Sequence, residues 1–332
     1  MAVRLHPPAY QAAGGVLDSV GGPRLPLMAE ATLPPTVTSR VVAGLLAVPP
    51  LWSAARWQAR RMMIRRAECL GIPWCETVND LQNRTWEEDW QAVYDPELHY
   101  PANYSASFHG YNAGHLCWEA AFEFEVASNA VHSSLFPHAG AKSDQALRDG
   151  YHRVLESHLS RSPGEILDLH CTVGLSTDRL KRSFPTSSVT GLDFSPHYLA
   201  VARRRDRDRL GDGRWLHALP ESTGLEPSRF GLVSAFLLFH EMATDTSQRI
   251  FREARLLLAP GGCLALMDMN PASGAYQSMP AALMTLLKST EPFMDQFLAL
   301  DLEDALREAG FVRIHSEPCS PRHRAVLAWA GD

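Results

Sequence analysis

Residues 165–180, EILDLHCTVGLSTDRL, read as an apolar strand, a turn carrying Gly174 and the start of a helix. Ile166, Leu167 and Leu169 form the short apolar run of a strand buried on both faces of a parallel sheet, and Asp168 interrupts it near its carboxyl end. In an open α/β sheet, ligands bind beyond the carboxyl ends of the strands, where a helix N-terminus presents unpaired N–H groups. Residues 188–194, SVTGLDF, repeat the form, ending in Asp193 before a helix entry at Ser195-Pro196. Serine as cap and proline at the first helical position suit such an entry. A glycine-bearing first turn with an acid closing the second strand suits a nucleoside whose ribose hydroxyls meet the carboxylate, so the reading predicts an adenosine-containing ligand.

Further along stand FGLVSAFLLFHEM at residues 230–242 and LLLAPGGCLALMDMNP at residues 256–271. Together with the two stretches above, their order and spacing resemble the motifs of class I S-adenosylmethionine-dependent methyltransferases. Within that class the chain is similar to the ubiquinone and menaquinone C-methyltransferase branch. It is more similar still to uncharacterised methyltransferase-like proteins of photosynthetic organisms, through FHGY at Phe108, WEAA at Trp118, LLKSTEP at Leu286 and SPRHR at Ser320. The resemblance spans roughly residues 39–329. It implies a Rossmann-like, seven-stranded α/β sheet whose last strand runs antiparallel, S-adenosylmethionine as cofactor, and donor contacts from Asp168, His170, Thr172, Gly174, Asp193, Phe194, Glu221 and Ser222. Glu221 is the acid after the third strand that the family brings toward the adenine amino group, and Ser222 is its neighbour.

Two positions depart from the family pattern. His170 and Thr172 stand where the first two motif glycines are usual, leaving only Gly174, and Gly231 follows Phe230 where an aspartate is usual. A side chain at the first glycine collides with the methionine part of the donor, unless His170 turns aside and donates to the donor's carboxylate. A second reading therefore stands beside the enzyme: a methyltransferase fold without turnover, acting as a ligand-binding or scaffold protein. A nicotinamide dehydrogenase is disfavoured, since no GxGxxG follows the first strand.

The chain has 332 residues, 45% of them hydrophobic and 20% charged, with a formal net charge of −6. This length allows one α/β domain plus an added N-terminal region, and the charge argues against a general nucleic-acid binder. The division read here is a disordered or targeting segment at 1–38, a helical and aromatic region with a lid at 39–139, and the methyltransferase domain at 140–332. The cysteines at 69, 75, 117, 171, 263 and 319 show neither a CxxC pair nor metal-ligand spacing. They read as reduced thiols of an intracellular protein, in cytoplasm or plastid, with no metal expected. Nothing in the sequence indicates an oligomeric state.

Residues 40–66 pass from apolar to basic, with Trp52, Ala55, Ala59, Met62, Met63 and Ala67 near one helical face. Such a helix either lies on a membrane surface or packs on its own domain with a solvated arginine face. The run RRRDRDR at residues 203–209 reads as solvated surface. Phe108, His109, Tyr111 and Trp118 are lid candidates by resemblance, and a hydrophobic cluster joining the N-terminal region to the core is the alternative. His240 and Glu241 fall at the carboxyl end of the fourth strand, and Asp268 ends the fifth. If the acceptor must lose a proton, His240 is the first candidate base, with His109, Tyr111 and Glu241 as alternatives. The acceptor expected from the aromatic lid is a small, partly apolar molecule of quinone, phenolic or lipid-like kind.

Overall fold

In the computed structural model the described residues are 49–331, apart from 106, 107, 137, 160, 210 and 212. The 1–38 segment, residues 40–48 and the side chains of Trp52, Ala55 and Ala59 lie outside what the structure describes. The seven strands are β1 Glu165–Leu169, β2 Ser188–Asp193, β3 Arg214–His217, β4 Phe230–Phe236, β5 Leu258–Met269, β6 Phe311–Pro318 and β7 His323–Ala330. They form one sheet in the order β3-β2-β1-β4-β5-β7-β6. The pairs among β1 to β5 are parallel, and β7 runs antiparallel to both β5 and β6. The Rossmann-like sheet with an antiparallel last strand is the one the sequence predicts.

Alternation along each strand divides the core between the two faces of the sheet. Leu167, Leu169, Val233, Leu264 and Leu266 pack with Ile250, Phe251 and Leu306 from helices Thr244–Leu257 and Leu302–Glu308. On the other face Ile166, Leu232, Ala265 and Met267 meet Leu147, Tyr151 and Leu155 from helix Ser143–His158 and Leu180 from helix Leu175–Ser183. Each buried Leu, Ile, Val, Phe or Met here contributes about 1.5–3 kcal/mol relative to exposure, which makes the sheet the rigid base of the molecule.

Gly174 adopts φ 82 at the start of its helix, and a Cβ there would lie 2.9 Å from the Trp215 ring. Gly231, the second departure from the family pattern, has a packing cause: a Cβ at that position would lie 2.1 Å from the Pro163 carbonyl oxygen. Pro260-Gly261-Gly262, residues typical of a turn, belong to β5 as an irregularity, Leu258 pairing with Phe230 and Cys263 with Leu232.

The N-terminal region packs onto helix Pro196–Arg207 through helices Glu87–Gln91 and Trp118–His132, and helices Pro49–Cys69 and Trp74–Gln82 pack on the latter. On the first helix Ala67 is buried and Met63 joins the cluster as expected, with Ile64 added, whereas Met62 is 60% exposed. Arg60 pairs with the buried Glu123. The basic run at 203–209 is solvated only at its end, where Arg207, Asp208 and Arg209 are exposed. Arg203 and Arg204 both bind the fully buried Asp89, and Arg205 binds Glu125, so the run clasps the N-terminal region to the sheet domain. No helix among the described residues is long and apolar enough to cross a membrane.

Candidate functional site

The chain goes from β1 outward to β2 and β3, then returns to β4 on the other side of β1. That reversal opens a crevice at the carboxyl ends of β1 and β4. Of the five non-glycine residues with positive φ among the described residues, four stand around it: His109, His170, Thr172 and Leu237. Backbone strain of this kind collects at functional sites.

On the β1–β2 side, Asp168 is fully buried, and one of its oxygens accepts from Ser176 Oγ at 2.8 Å and Thr177 Oγ1 at 2.6 Å. It thereby fixes the first turn of the following helix. Burial pushes its carboxyl up to about 6 against the two hydroxyl donors. Asp193 Oδ2 accepts from the Thr172 amide at 2.9 Å and Oδ1 from the Ser195 amide at 2.8 Å. Ser195 Oγ accepts from the Tyr198 amide, the predicted cap, and donates to the His115 carbonyl at 2.6 Å.

His170 fills the space that motif glycines leave open. Its Nδ1 stands 3.1 Å from Asp193 Oδ2 and its Nε2 3.2 Å from Glu241 Oε2. Its ring lies parallel to Phe194 at 5.7 Å between centroids. Burial alone would lower its pKa, but Asp193 and Glu241 outweigh burial and push it up to about 10. The side chain therefore neither leaves the crevice nor points to solvent; it is an imidazolium between two carboxylates.

On the β4–β5 side, Leu237 (φ 58) donates its amide to Met267 O and turns the chain into the short 3-10 segment Phe239–Glu241. Asp268 accepts from the amides of Phe239 at 2.8 Å and His240 at 3.2 Å and pairs with His240 Nδ1 at 2.8 Å. Asp268 is thus an anchor for the turn rather than a group facing a substrate. Burial is again outweighed, and Asp268 pushes His240 up to about 9. A raised pKa works against the expected use of His240 as a base at neutral pH, because an imidazolium has no lone pair to accept a proton. Glu241 is held below the usual carboxylate range despite its burial by the imidazoles around it, His115 and His170 first.

The strap over the crevice comes from residues 100–117. Phe108 and Tyr111 exchange backbone hydrogen bonds of 3.1 and 2.8 Å around His109 (φ 49) and Gly110 (φ 85), the double left-handed turn of a tight hairpin. The turn sets Phe108 into the crevice beside Tyr104, His115, Phe194, Glu241, Met242 and Phe293. His109 Nε2 meets Glu291 at 2.7 Å, and its amide donates to Thr290 O. Glu221 accepts from the Tyr104 hydroxyl, while Ser222 lies exposed in the adjoining turn, its amide bound to Leu219 O.

Two lid candidates stand elsewhere. The Tyr111 hydroxyl donates to Glu123 at 2.7 Å, within the N-terminal cluster. Trp118 packs against Trp86, Trp90, Phe122 and His197, so it follows the hydrophobic-cluster alternative. Sequence reading missed His115, which is buried, stacks on His170 and Phe194, and has no hydrogen-bond partner on either ring nitrogen. Burial lowers it to about 4, so it stays neutral where His170 and His240 are charged. Its one sequence signal is a position between the FHGY and WEAA blocks, and Glu291 was visible only as part of LLKSTEP.

The family model described as a methyltransferase domain matches residues 166–262. The chain is 33% identical over 168 residues to an uncharacterized methyltransferase of Synechocystis sp., covering 50% of this chain and 76% of that protein. It is 31% identical over 125 residues to the demethylmenaquinone methyltransferase of Thermus thermophilus, covering 37% of this chain and 56% of the relative. Similarity to the trans-aconitate 2-methyltransferase of Methylobacterium nodulans is 36% over 105 residues, 32% of this chain and 38% of that one. Taken with a sheet of this strand order and an acid closing β2, these relationships establish that the chain belongs to the class I S-adenosylmethionine-dependent methyltransferases.

Proposed function

We propose that this protein transfers a methyl group from S-adenosylmethionine to a small, partly apolar acceptor, of quinone, phenolic or lipid-like kind. The observation that carries the reading is the convergence of Asp193, Phe194 and Glu221 beside the Gly174 turn, under a strap that adds Tyr104 and Phe108. The residues fit the donor in kind. Asp193 supplies the acceptor pair for ribose hydroxyls, Phe194 and Tyr104 supply aromatic faces, and the helix after Gly174 offers its N-terminus. Both ring nitrogens of the buried His115 on the crevice wall also lack hydrogen-bond partners within the protein. His170 must surrender its place between Asp193 and Glu241 for the site to open.

The donor, once bound, supplies a sulfonium methyl that a nucleophilic atom displaces. The chain's own task is to align the two reactants and to keep water out. Phe108, Phe293 and Met242 form the apolar side of that enclosure. The similarity of the chain to relatives named for quinone and aconitate methylation supports a small-molecule acceptor.

Calorimetric titration with S-adenosylmethionine and S-adenosylhomocysteine tests the reading. Micromolar binding is expected for the wild type, and Asp193→Asn should weaken it at least about 100-fold, the loss of a pair of charge-assisted bonds. Wild-type protein that ignores millimolar donor would overturn the reading.

A further inference from the structure

His115 poses a question that methyl transfer does not answer. The side chain is 4% exposed, and neither Nδ1 nor Nε2 has a hydrogen-bond partner. A buried polar group left in this state forfeits its hydration with nothing in return. Such a group is retained where something outside the chain satisfies it. The neighbours on its open side are both potential metal ligands: one ligand atom each from His109, His115 and Glu241 lies within 4.8 Å of the others. His115 Nε2 stands 3.8 Å from Glu241 Oε2, whose nearer contact is the His170 ring at 3.2 Å.

We propose that His109, His115 and Glu241 bind a divalent transition-metal ion such as zinc, with at least one coordination position open to the crevice. Two imidazoles and one carboxylate are a donor set suited to zinc, iron or cobalt in sites that keep a position free for water or substrate. The surrounding contacts are those of a built site. Glu291 holds His109 Nε2 at 2.7 Å, which turns Nδ1 into the ligating atom and supplies the carboxylate that commonly orients a metal-bound imidazole. Glu291 is itself buried. His115 is fixed by the Phe194 and His170 rings on which it stacks.

The geometry needs only a modest contraction. Ligand atoms about 2.0–2.2 Å from one ion lie roughly 3.4 Å apart in a tetrahedral site. His109 is the member with freedom to close the distance, since its side chain is 39% exposed and sits on a tight turn. On the far side of Glu241, His170 Nε2 approaches the same Oε2 at 3.2 Å, and shifting that ring toward Asp193 leaves the oxygen to the ion.

The open position takes an oxygen ligand, either a water or the phenolate, enolate or carboxylate of a methyl acceptor. That last assignment rests on the methyltransferase reading; the metal site itself does not.

The test is titration of the metal-stripped protein with Co2+, followed by its visible absorption, and with Zn2+ in competition. A second His/Glu group at His158, His315 and Glu317 serves as the internal control. One equivalent should bind with d–d bands of a four- or five-coordinate ion, be displaced by Zn2+, and survive His158→Ala. His109→Ala and Glu241→Gln should abolish the bands, while Glu291→Gln, which leaves all three ligands in place, should weaken binding about 10–100-fold. Absence of stoichiometric binding overturns the proposal. So does a signal that disappears in His158→Ala but persists in His109→Ala with the fold intact by circular dichroism. The donor titration on the same protein is a separate readout, so loss of the metal site and loss of the donor site are told apart.

Discussion

The two walls of the crevice are finished differently. On the β2 side Asp193 has a backbone amide on each oxygen and an imidazolium beside it. On the strap side His115 is as deeply buried but has no hydrogen-bond partner on its ring. The first wall has most of its polar atoms paired, Asp168 Oδ1 and His170 Nδ1 excepted, and must be opened to receive a ligand. The second wall carries an unmet demand, and its stability is sacrificed until a ligand arrives. Opposite substitutions should expose this difference. Asp193→Ala strands two amides and the His170 charge, and should cost about 3–5 kcal/mol in urea denaturation, as breaking a buried pair does. His115→Phe keeps the ring stacking and removes two unsatisfied atoms, and should leave stability unchanged or raise it by about 1 kcal/mol. Comparable losses in both variants would break the contrast.

The same contrast has a pH signature. His170 and His240 titrate near 10 and 9 in the folded protein, above the value of about 6.5 for a free imidazole. Their stabilisation is therefore complete below about pH 6.5 and is lost as pH rises toward 9 and 10, at up to about 1.4 kcal/mol per pH unit for each group. Glu241, with a depressed folded pKa, contributes above about pH 4.5, the ordinary carboxylate range, and loses that contribution in acid. Stability should peak in mildly acidic buffer and decline steadily through the alkaline range. In His170→Gln the alkaline decline should become shallower. An unchanged slope between pH 7 and 9 in that variant would show that the imidazolium is not held as strongly as its two carboxylates suggest.

Much of the β1–β2 wall was legible in the sequence, because its parts are close together and periodic. Strand, left-handed turn, helix, a second strand ending in Asp193 and a Ser-Pro cap follow from local preferences, and each lies within a few residues of its partner. The strap wall was not legible in this way. His115 meets Glu241 across 126 positions, through a hairpin turn whose hand depends on His109 and Gly110 both taking positive φ. Trp118 and Phe108 are equally aromatic, and only tertiary packing sorts one into the cluster with Trp86 and the other into the crevice. The RRRDRDR run misled for the opposite reason. Mixed charge normally means solvent, but a single buried acid, Asp89, recruits two of its arginines inward.

The smallest effect expected is also the sharpest test of the closed wall. His170 holds φ 59, a region where a side chain costs about 1–2 kcal/mol and glycine almost nothing. His170→Gly relieves that strain and frees the space between Asp193 and Glu241, at the expense of two ion pairs. Both Asp193 amide bonds come from Thr172 and Ser195 and survive the change. Removing an imidazole that the donor would otherwise displace should tighten S-adenosylmethionine binding by roughly tenfold, or about 1.4 kcal/mol, even as the melting temperature falls. Weaker binding in His170→Gly would reverse the assignment: the imidazolium would then be a ligand for the donor, and the β2 wall would be an open site already rather than one that must be unlocked.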